Sequence, residues 1–234
     1  MSYRTNIVIP LRDPYTAKQR LAGVLSSHQR AELVQHLFQK NLDLLTRRFP
    51  QIHKLVVTDS QMISALAASQ GASVLLEEQA KGLTEAVELA TRWSLDKGFE
   101  SQLVLPADLA DLDCDELQYL LDYPRPDLSL LVCPAKDDGT NALMTTPPDV
   151  IPFWFGKNSA VEYLNRARSR NVHCERVVLQ NMKFDVDTPE DLERFLQGAR
   201  ANPRRELTVD IKRLNRNVFD DQDVIFYEGA LSSA

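Results

Sequence analysis

The sequence predicts an α/β fold: a single three-layer domain with a mostly parallel central sheet over residues 1–198, followed by a C-terminal appendage at 199–234. Three observations carry that prediction. Short apolar runs of strand length alternate with stretches of helical spacing through the first 134 residues. Ser, Gly and Pro punctuate the ends of those stretches. One run, Leu103-Val104-Leu105-Pro106-Ala107-Asp108-Leu109, passes straight from apolar residues into a proline and a single acid. That is the pattern of a central strand ending at the edge where open α/β sheets bind ligands.

The elements follow in order. Asn6-Ile7-Val8-Ile9-Pro10 is a first buried strand, and a polar loop from Leu11 to Gln19 leads on, bringing Arg12, Lys18 and Arg20. Ser26 or Ser27 caps a helix over Gln29–Arg47, where Leu33, Leu37, Leu42 and Leu45 recur at helical spacing. Lys54–Asp59 is a second strand. Ser60 caps a helix over Gln61–Gln70, and Gly71 closes it. Ser73–Leu76 is a third strand, Gly82–Asp96 a helix ended by Gly98, and 102–105 the strand described above. Asp113 or Asp115 starts a short helix through Leu121, and Ser129–Pro134 is the next strand. Beyond 134 the alternation breaks, because Asp137-Asp138-Gly139-Thr140 and Pro147-Pro148 read as loops. Asn158 or Ser159 caps a further helix, Val177-Val178-Leu179 is a strand, and Thr188 with Pro189 opens a last helix. Asn202-Pro203-Arg204-Arg205 reads as a linker, and Val224-Ile225-Phe226-Tyr227 as one strand of an interface arm.

Composition narrows the function. The 234 residues are 44% hydrophobic, enough for a full core, yet no apolar run approaches the ~18 residues of a membrane span. No signal-peptide pattern precedes the first strand. Cys114, Cys133 and Cys174 are odd in number, widely spaced and without CxxC, which favours reduced thiols over disulfides or a zinc site. A cytoplasmic location is the expectation. A net charge of −6 argues against nucleic-acid binding. It leaves room for a small phosphorylated substrate met by a local basic pocket or a metal.

The candidate chemistry lies in acids and loops. Asp185 and Asp187, spaced i, i+2 in an extended segment, point to one face. With Asp108 they are candidates to share one Mg²⁺, which takes oxygen ligands. Taken singly, each acid reads equally as a helix cap or a solvated loop residue. Arg12, Lys18 and Arg20 sit where α/β domains place phosphate loops, without a P-loop or GxGxxG sequence. Gly82, in Lys81-Gly82-Leu83-Thr84, permits close backbone approach at a loop-to-helix junction. Gly139-Thr140-Asn141-Ala142 and Phe155-Gly156-Lys157-Asn158-Ser159 offer hydroxyls and N–H groups for an anion, or form ordinary turns. His28, His36, His53 and His173 show no ligand spacing, and no cysteine has a recognisable catalytic partner.

The ordered set Ile9-Pro10-Leu11…Ala17-Lys18-Gln19-Arg20-Leu21, Leu105-Pro106-Ala107-Asp108-Leu109, Gly139-Thr140-Asn141-Ala142-Leu143, Phe155-Gly156-Lys157-Asn158-Ser159 and Asp185-Val186-Asp187-Thr188-Pro189-Glu190-Asp191-Leu192 resembles the 2-phospho-L-lactate guanylyltransferase family of coenzyme F(420) biosynthesis. The resemblance spans about residues 6–196, and it implies the nucleotide-diphospho-sugar transferase-like fold. It implies an Mg²⁺-dependent guanylyl transfer from GTP to 2-phospho-L-lactate, phosphoenolpyruvate or 3-phosphoglycerate, with release of pyrophosphate. By that resemblance Asp108, Asp185 and Asp187 are the Mg²⁺ ligands, and Lys18 and Asp108 the catalytic pair. Arg12, Lys18, Arg20 and Gly82 hold the nucleotide. Thr140, Asn141, Gly156 and Ser159 hold the phosphorylated acid. Two positions depart from the family pattern: Arg12 stands where Lys is frequent, and Gly82-Leu83-Thr84 replaces Gly-Leu-Asn. The alternatives are a nucleotidyltransferase for a sugar phosphate or molybdopterin, and a non-catalytic nucleotide-binding domain. Neither the acceptor acid nor a homodimeric state follows from the sequence.

Overall fold

A computed structural model describes residues 3–136 and 138–201 of the chain. Its centre is a seven-stranded sheet. The strands are β1 (Thr5–Pro10), β2 (His53–Thr58), β3 (Ser73–Leu76), β4 (Ser101–Val104), β5 (Ser129–Pro134), β6 (Thr140–Thr146) and β7 (His173–Arg176). The helices are α1 (Ser27–Arg48), α2 (Gln61–Ser69), α3 (Leu83–Asp96), α4 (Cys114–Asp122), α5 (Ser159–Ser169) and α6 (Pro189–Ala201). The sheet order is β3-β2-β1-β4-β6-β5-β7, and only β6 runs antiparallel to its neighbours.

Helices cover both faces. On one face Ile7 and Ile9 of β1 pack with Val34, Phe38 and Leu42 of α1, Ile63 of α2 and Leu117 of α4. On the other, Val8 packs with Val87 and Ala90 of α3 and Tyr163 and Ala167 of α5. The alternation of Ile7, Val8 and Ile9 between faces is the period-2 rule, and burial on both sides makes β1 continuously apolar. A third, smaller cluster joins Leu21, Leu25, Leu33, Leu37, Ala110, Val186, Leu192 and Leu196 behind the cleft described below.

The chain leaves β1 outward through β2 and β3, then returns to β4 on the other side of β1. Adjacent loops at the carboxyl ends of β1 and β4 therefore diverge, and that opening is where a ligand fits.

Most expected elements stand, with instructive exceptions. Ser26 and Gln29 form a reciprocal cap, so α1 begins at Ser27. Ser60 sits at the start of α2 but makes no side-chain cap; its N–H donates instead to Thr58 Oγ1. Asn158 precedes α5 in a left-handed conformation, also without a side-chain cap. The strand expected at 177–179 lies earlier, at His173–Arg176, where it pairs with β5. The loop expected at 139–142 is corrected too: from Thr140 onward the chain is β6, wedged between β4 and β5. Gly139 and the Pro pair bracket a strand there, and no helix separates β5 from β6, so they meet as a hairpin. The expected strand at 224–227 and the appendage lie outside the described residues. No helix among the described residues is long and apolar enough to cross a membrane.

Candidate active site

The site begins where β1 ends. Asp13 caps the turn Pro14–Thr16, and its own N–H donates to Asp59 Oδ1 at 2.7 Å. Lys18 follows with φ +51°, a left-handed conformation uncommon for a side chain of this size. Such a conformation persists only where surrounding contacts over-determine it. Here the contacts are two carboxylates: Lys18 Nζ lies 2.5 Å from Asp108 Oδ2 and 2.6 Å from Asp187 Oδ1, with the side chain 3% exposed. Arg20 is largely solvated, its Nη1 4.0 Å from Asp187 Oδ2. Arg30 of α1 secures the loop by donating to Leu25 O at 2.9 Å and Ala17 O at 3.4 Å.

Asp108 is held from behind. Asn41 Nδ2 of α1 donates to Ala107 O and Leu109 O, at 3.2 and 3.0 Å, gripping the backbone on both sides of the acid. Lys40 Nζ donates to Ala110 O at 3.0 Å. The segment bearing Asp185 and Asp187 is joined to this one by an antiparallel bridge between Leu109 and Asp185. Farther back, the Glu116 carboxylate accepts the N–H groups of Gln180, Asn181 and Met182 at 2.6 to 3.1 Å. Asn141 Nδ2 donates to Met182 O at 3.1 Å. Val186 turns into the third apolar cluster. By strand alternation that sends Asp185 and Asp187 the other way.

The electrostatics follow from this crowding. Burial alone would lower the Lys18 ammonium, but Asp108 and Asp187 outweigh it and raise its pKa. Asp185 is pushed up to about 6, first by burial, then by Asp187, against the opposing pull of Lys18, with Asp108 adding to the rise. Three mutually repelling carboxylates face one buried ammonium. All the donors are hard oxygens, which fits Mg²⁺. No group of three or more His, Cys, Asp and Glu among the described residues is already arranged around a metal position.

A cleft of about 670 Å³ opens over this cluster, within the range of ligand pockets. Arg12, Lys18, Arg20, Lys81 and Gly82 line it from the β1–β3 side, Asp108, Thr140, Asn141, Phe155 and Asp187 from the β4–β6 side. Gly82 has φ +127°, and a Cβ there would meet Glu85 Oε2 at 2.8 Å. Asp185, Gly156 and Ser159 do not line the cleft. Ser159 is fully buried and its Oγ is 2.7 Å from Thr140 Oγ1, so it touches the cleft only through Thr140. Asn141 is 5% exposed and its amide nitrogen is engaged on Met182. Gly156, with φ +125°, begins the turn whose carbonyl accepts the Ser159 N–H at 3.1 Å.

Sequence reasoning missed Glu77 and Thr16 in the lining, and Asn41 and Glu116 behind it. Lys81 carried a signal, its place beside Gly82. Asn41 and Glu116 carried none, because helical polar residues that bond distant backbone look like solvent-facing ones.

A family model described as "Guanylyl transferase CofC like" matches residues 5–214. A 3-phospho-D-glycerate guanylyltransferase of Colwellia psychrerythraea is 50% identical over 190 residues, covering 81% of this chain and 90% of that protein. A phosphoenolpyruvate guanylyltransferase of Rubrobacter xylanophilus is 35% identical over 206 residues, covering 85% and 97%. A 2-phospho-L-lactate guanylyltransferase of Methanothermobacter thermautotrophicus is 28% identical over 206 residues, covering 87% and 90%. Among solved structures, a Desulfovibrio desulfuricans protein described as a nucleotide-diphospho-sugar transferase superposes with a TM-score of 0.71, at 21% identity, over 91% of this chain and 95% of that one. That likeness speaks for the fold. With the family model covering most of its length and one such relative 50% identical over 81% of it, the chain belongs to the CofC-like guanylyl transferase family.

Proposed function

We propose that the protein transfers GMP from GTP to a phosphorylated three-carbon acid, a step of coenzyme F(420) biosynthesis, and that its acceptor is 3-phospho-D-glycerate. The observation that carries the reaction type is the meeting of Lys18, Asp108 and Asp187 in the cleft of a chain of this family. The acceptor rests on the 50% identity to a 3-phospho-D-glycerate guanylyltransferase.

In this reading a phosphate oxygen of the acid attacks the α-phosphorus of GTP. The bond from the α-phosphorus to the bridging oxygen breaks, pyrophosphate leaves, and the product carries a diphosphate link. The substrate phosphate is itself the nucleophile, so the protein's work is positioning and charge neutralisation. Lys18 brings a permanent ammonium to the point where charge develops. Arg12, Arg20 and the backbone at Gly82 hold the triphosphate and nucleoside. Thr140, supported by Ser159, receives the acid beside Phe155, which the turn at Gly156 follows, while Asn141 shapes that wall. Asp108, Asp185 and Asp187 would hold Mg²⁺, which when bound offsets phosphate charge and orients phosphate oxygens.

The test is incubation with GTP, Mg²⁺ and each acid separately, following pyrophosphate and product mass. The expected result is a guanylylated product with highest kcat/KM for 3-phosphoglycerate, abolished by a chelator. Turnover of a hexose 1-phosphate with none of the three acids would overturn it.

A further inference from the structure

The cleft holds one acid that this mechanism does not use. Of the acids lining it, Asp108 and Asp187 close on Lys18, and the third is Glu77. No hydrogen bond or ion pair engages the Glu77 side chain among the described residues. Its electrostatic neighbours are Asp59, Lys81 and Glu85, none of them from the Lys18 cluster. Two of these are excluded from the same role. Asp59 already accepts the Asp13 N–H, and Glu85 lies against Gly82 outside the lining.

Glu77 follows directly on β3, and its N–H donates to Thr58 O at 2.8 Å, so its backbone is anchored to the sheet. Asp108 follows β4. In the order β3-β2-β1-β4 those strands are three spacings apart, roughly 14 Å. That separation suits a nucleotide lying across the strand ends with its reacting phosphate at Lys18 and its base toward β3. Leu83 and Ala86, from the first turns of α3, give this part of the cleft apolar surface for a ring.

We propose that Glu77 is the specificity-determining residue for guanine, its carboxylate accepting the N1–H and N2–H groups side by side on the base. This rests on the nucleotide reading above. A carboxylate is an acceptor only, with two oxygens at the spacing of that donor pair. Adenine offers an acceptor nitrogen and a C–H on the same edge, so it leaves Glu77 unpaired and desolvated. Partial burial already disfavours the Glu77 charge and raises its pKa, which adds to the cost of a base that brings no donor.

The experiment measures GTP, ITP and ATP binding by calorimetry, and kcat/KM for each with one accepted acid, in the wild type, Glu77→Gln and Glu77→Ala. The wild type is expected to prefer GTP over ITP, which lacks the N2 amine, roughly tenfold or more. It should prefer GTP over ATP by a wider margin. Glu77→Gln should bring GTP and ITP within about threefold of each other. It should also shift the GTP:ATP ratio toward ATP at least tenfold, because the amide carries no charge to desolvate and its NH₂ can donate to the adenine ring nitrogen on that edge. Glu77→Ala should lose the GTP preference, through weaker GTP binding and relief of the desolvation cost that ATP meets, with circular dichroism unchanged in both variants. Unaltered ratios in both variants, or a wild type binding GTP no tighter than ATP, would overturn the proposal. Selective GTP binding with no turnover of any three-carbon acid would overturn the reading of the reaction and leave Glu77 standing.

Discussion

The two sides of the charged cluster are built differently. The acids are clamped: Asn41 and Lys40 hold the backbone around Asp108, and Glu116 and Asn141 hold the segment leading to Asp185 and Asp187. The lysine loop is a pair of short 3₁₀ turns, Pro14–Thr16 and Gln19–Leu21, secured mainly by Arg30 and by the bond from Lys18 to the acids themselves. Leu21, Ala110 and Val186 meet in one apolar cluster. Each of these residues is within three positions of a charged site residue. The scaffold therefore fixes the negative charges in advance, and the cation is drawn to them. That order suits a site that must hold repelling carboxylates together before any substrate arrives.

The sharpest way to break this picture is Asp108→Asn. It removes the charge that both clamps and cation serve while keeping the shape. We expect a loss in kcat of about a thousandfold by pyrophosphate release, with circular dichroism unchanged. Wild-type turnover in that variant would end the assignment.

Asp185→Asn tests the other consequence, that assembling the acids costs stability. The Asp185 pKa is raised from 3.8 to about 6. A raised carboxyl means the folded state keeps its proton longer than the unfolded chain does. Its favourable contribution is complete below about pH 4 and lost as pH climbs through 6, amounting to at most about 3 kcal/mol. Urea unfolding at pH 4 and pH 8 should show the wild type losing stability over that interval more than the variant does. At pH 8 the variant should be the more stable protein and the poorer enzyme. Parallel profiles would refute the shift.

Asn41→Ala addresses the clamp with the smallest effect. Two donors to carbonyls disappear from a buried site, costing about 2 kcal/mol in urea unfolding. Turnover should fall roughly tenfold, through kcat rather than KM for GTP. An unchanged kcat would show that Asp108 needs no support from α1.

Much of this was legible in the chain. The apolar runs of β1, β2, β4 and β5 announce themselves because burial on both faces makes them continuous, and β3 shows through its Val74-Leu75-Leu76 run although it is partly exposed. Asp108, Asp187 and Lys18 were found because each sits in a loop directly beside such a run or a capped helix. Three things were hidden. β6 reads as loop because Gly139 and the Pro pair bracket it and its residues Thr140, Asn141, Thr145 and Thr146 are polar, although all but Thr140 are buried. The strand at His173–Arg176 is a mixed-polarity edge, partly or fully exposed throughout, so the more apolar Val177-Val178-Leu179 drew the assignment. Asn41 and Glu116 act on backbone dozens of residues away, a relation that no local pattern encodes. Ser159 stands out in the sequence as a hydroxyl at a helix start, but its burial behind Thr140 is a fact of packing alone.

The reversed strand has a practical consequence. Because β6 runs against its neighbours, its beginning, not its end, lies beside the carboxyl end of β4, and Thr140 reaches the cleft by that reversal. The β5–β6 hairpin, closed by the Ala135 N–H on Gly139 O at 2.9 Å, is thus a module that can be exchanged. Its turn can be lengthened or shortened without shifting the register of the parallel strands β1 to β4. On the proposed reaction, a designer seeking new acceptors would vary that turn and leave the β1–β3 side of the cleft as it is.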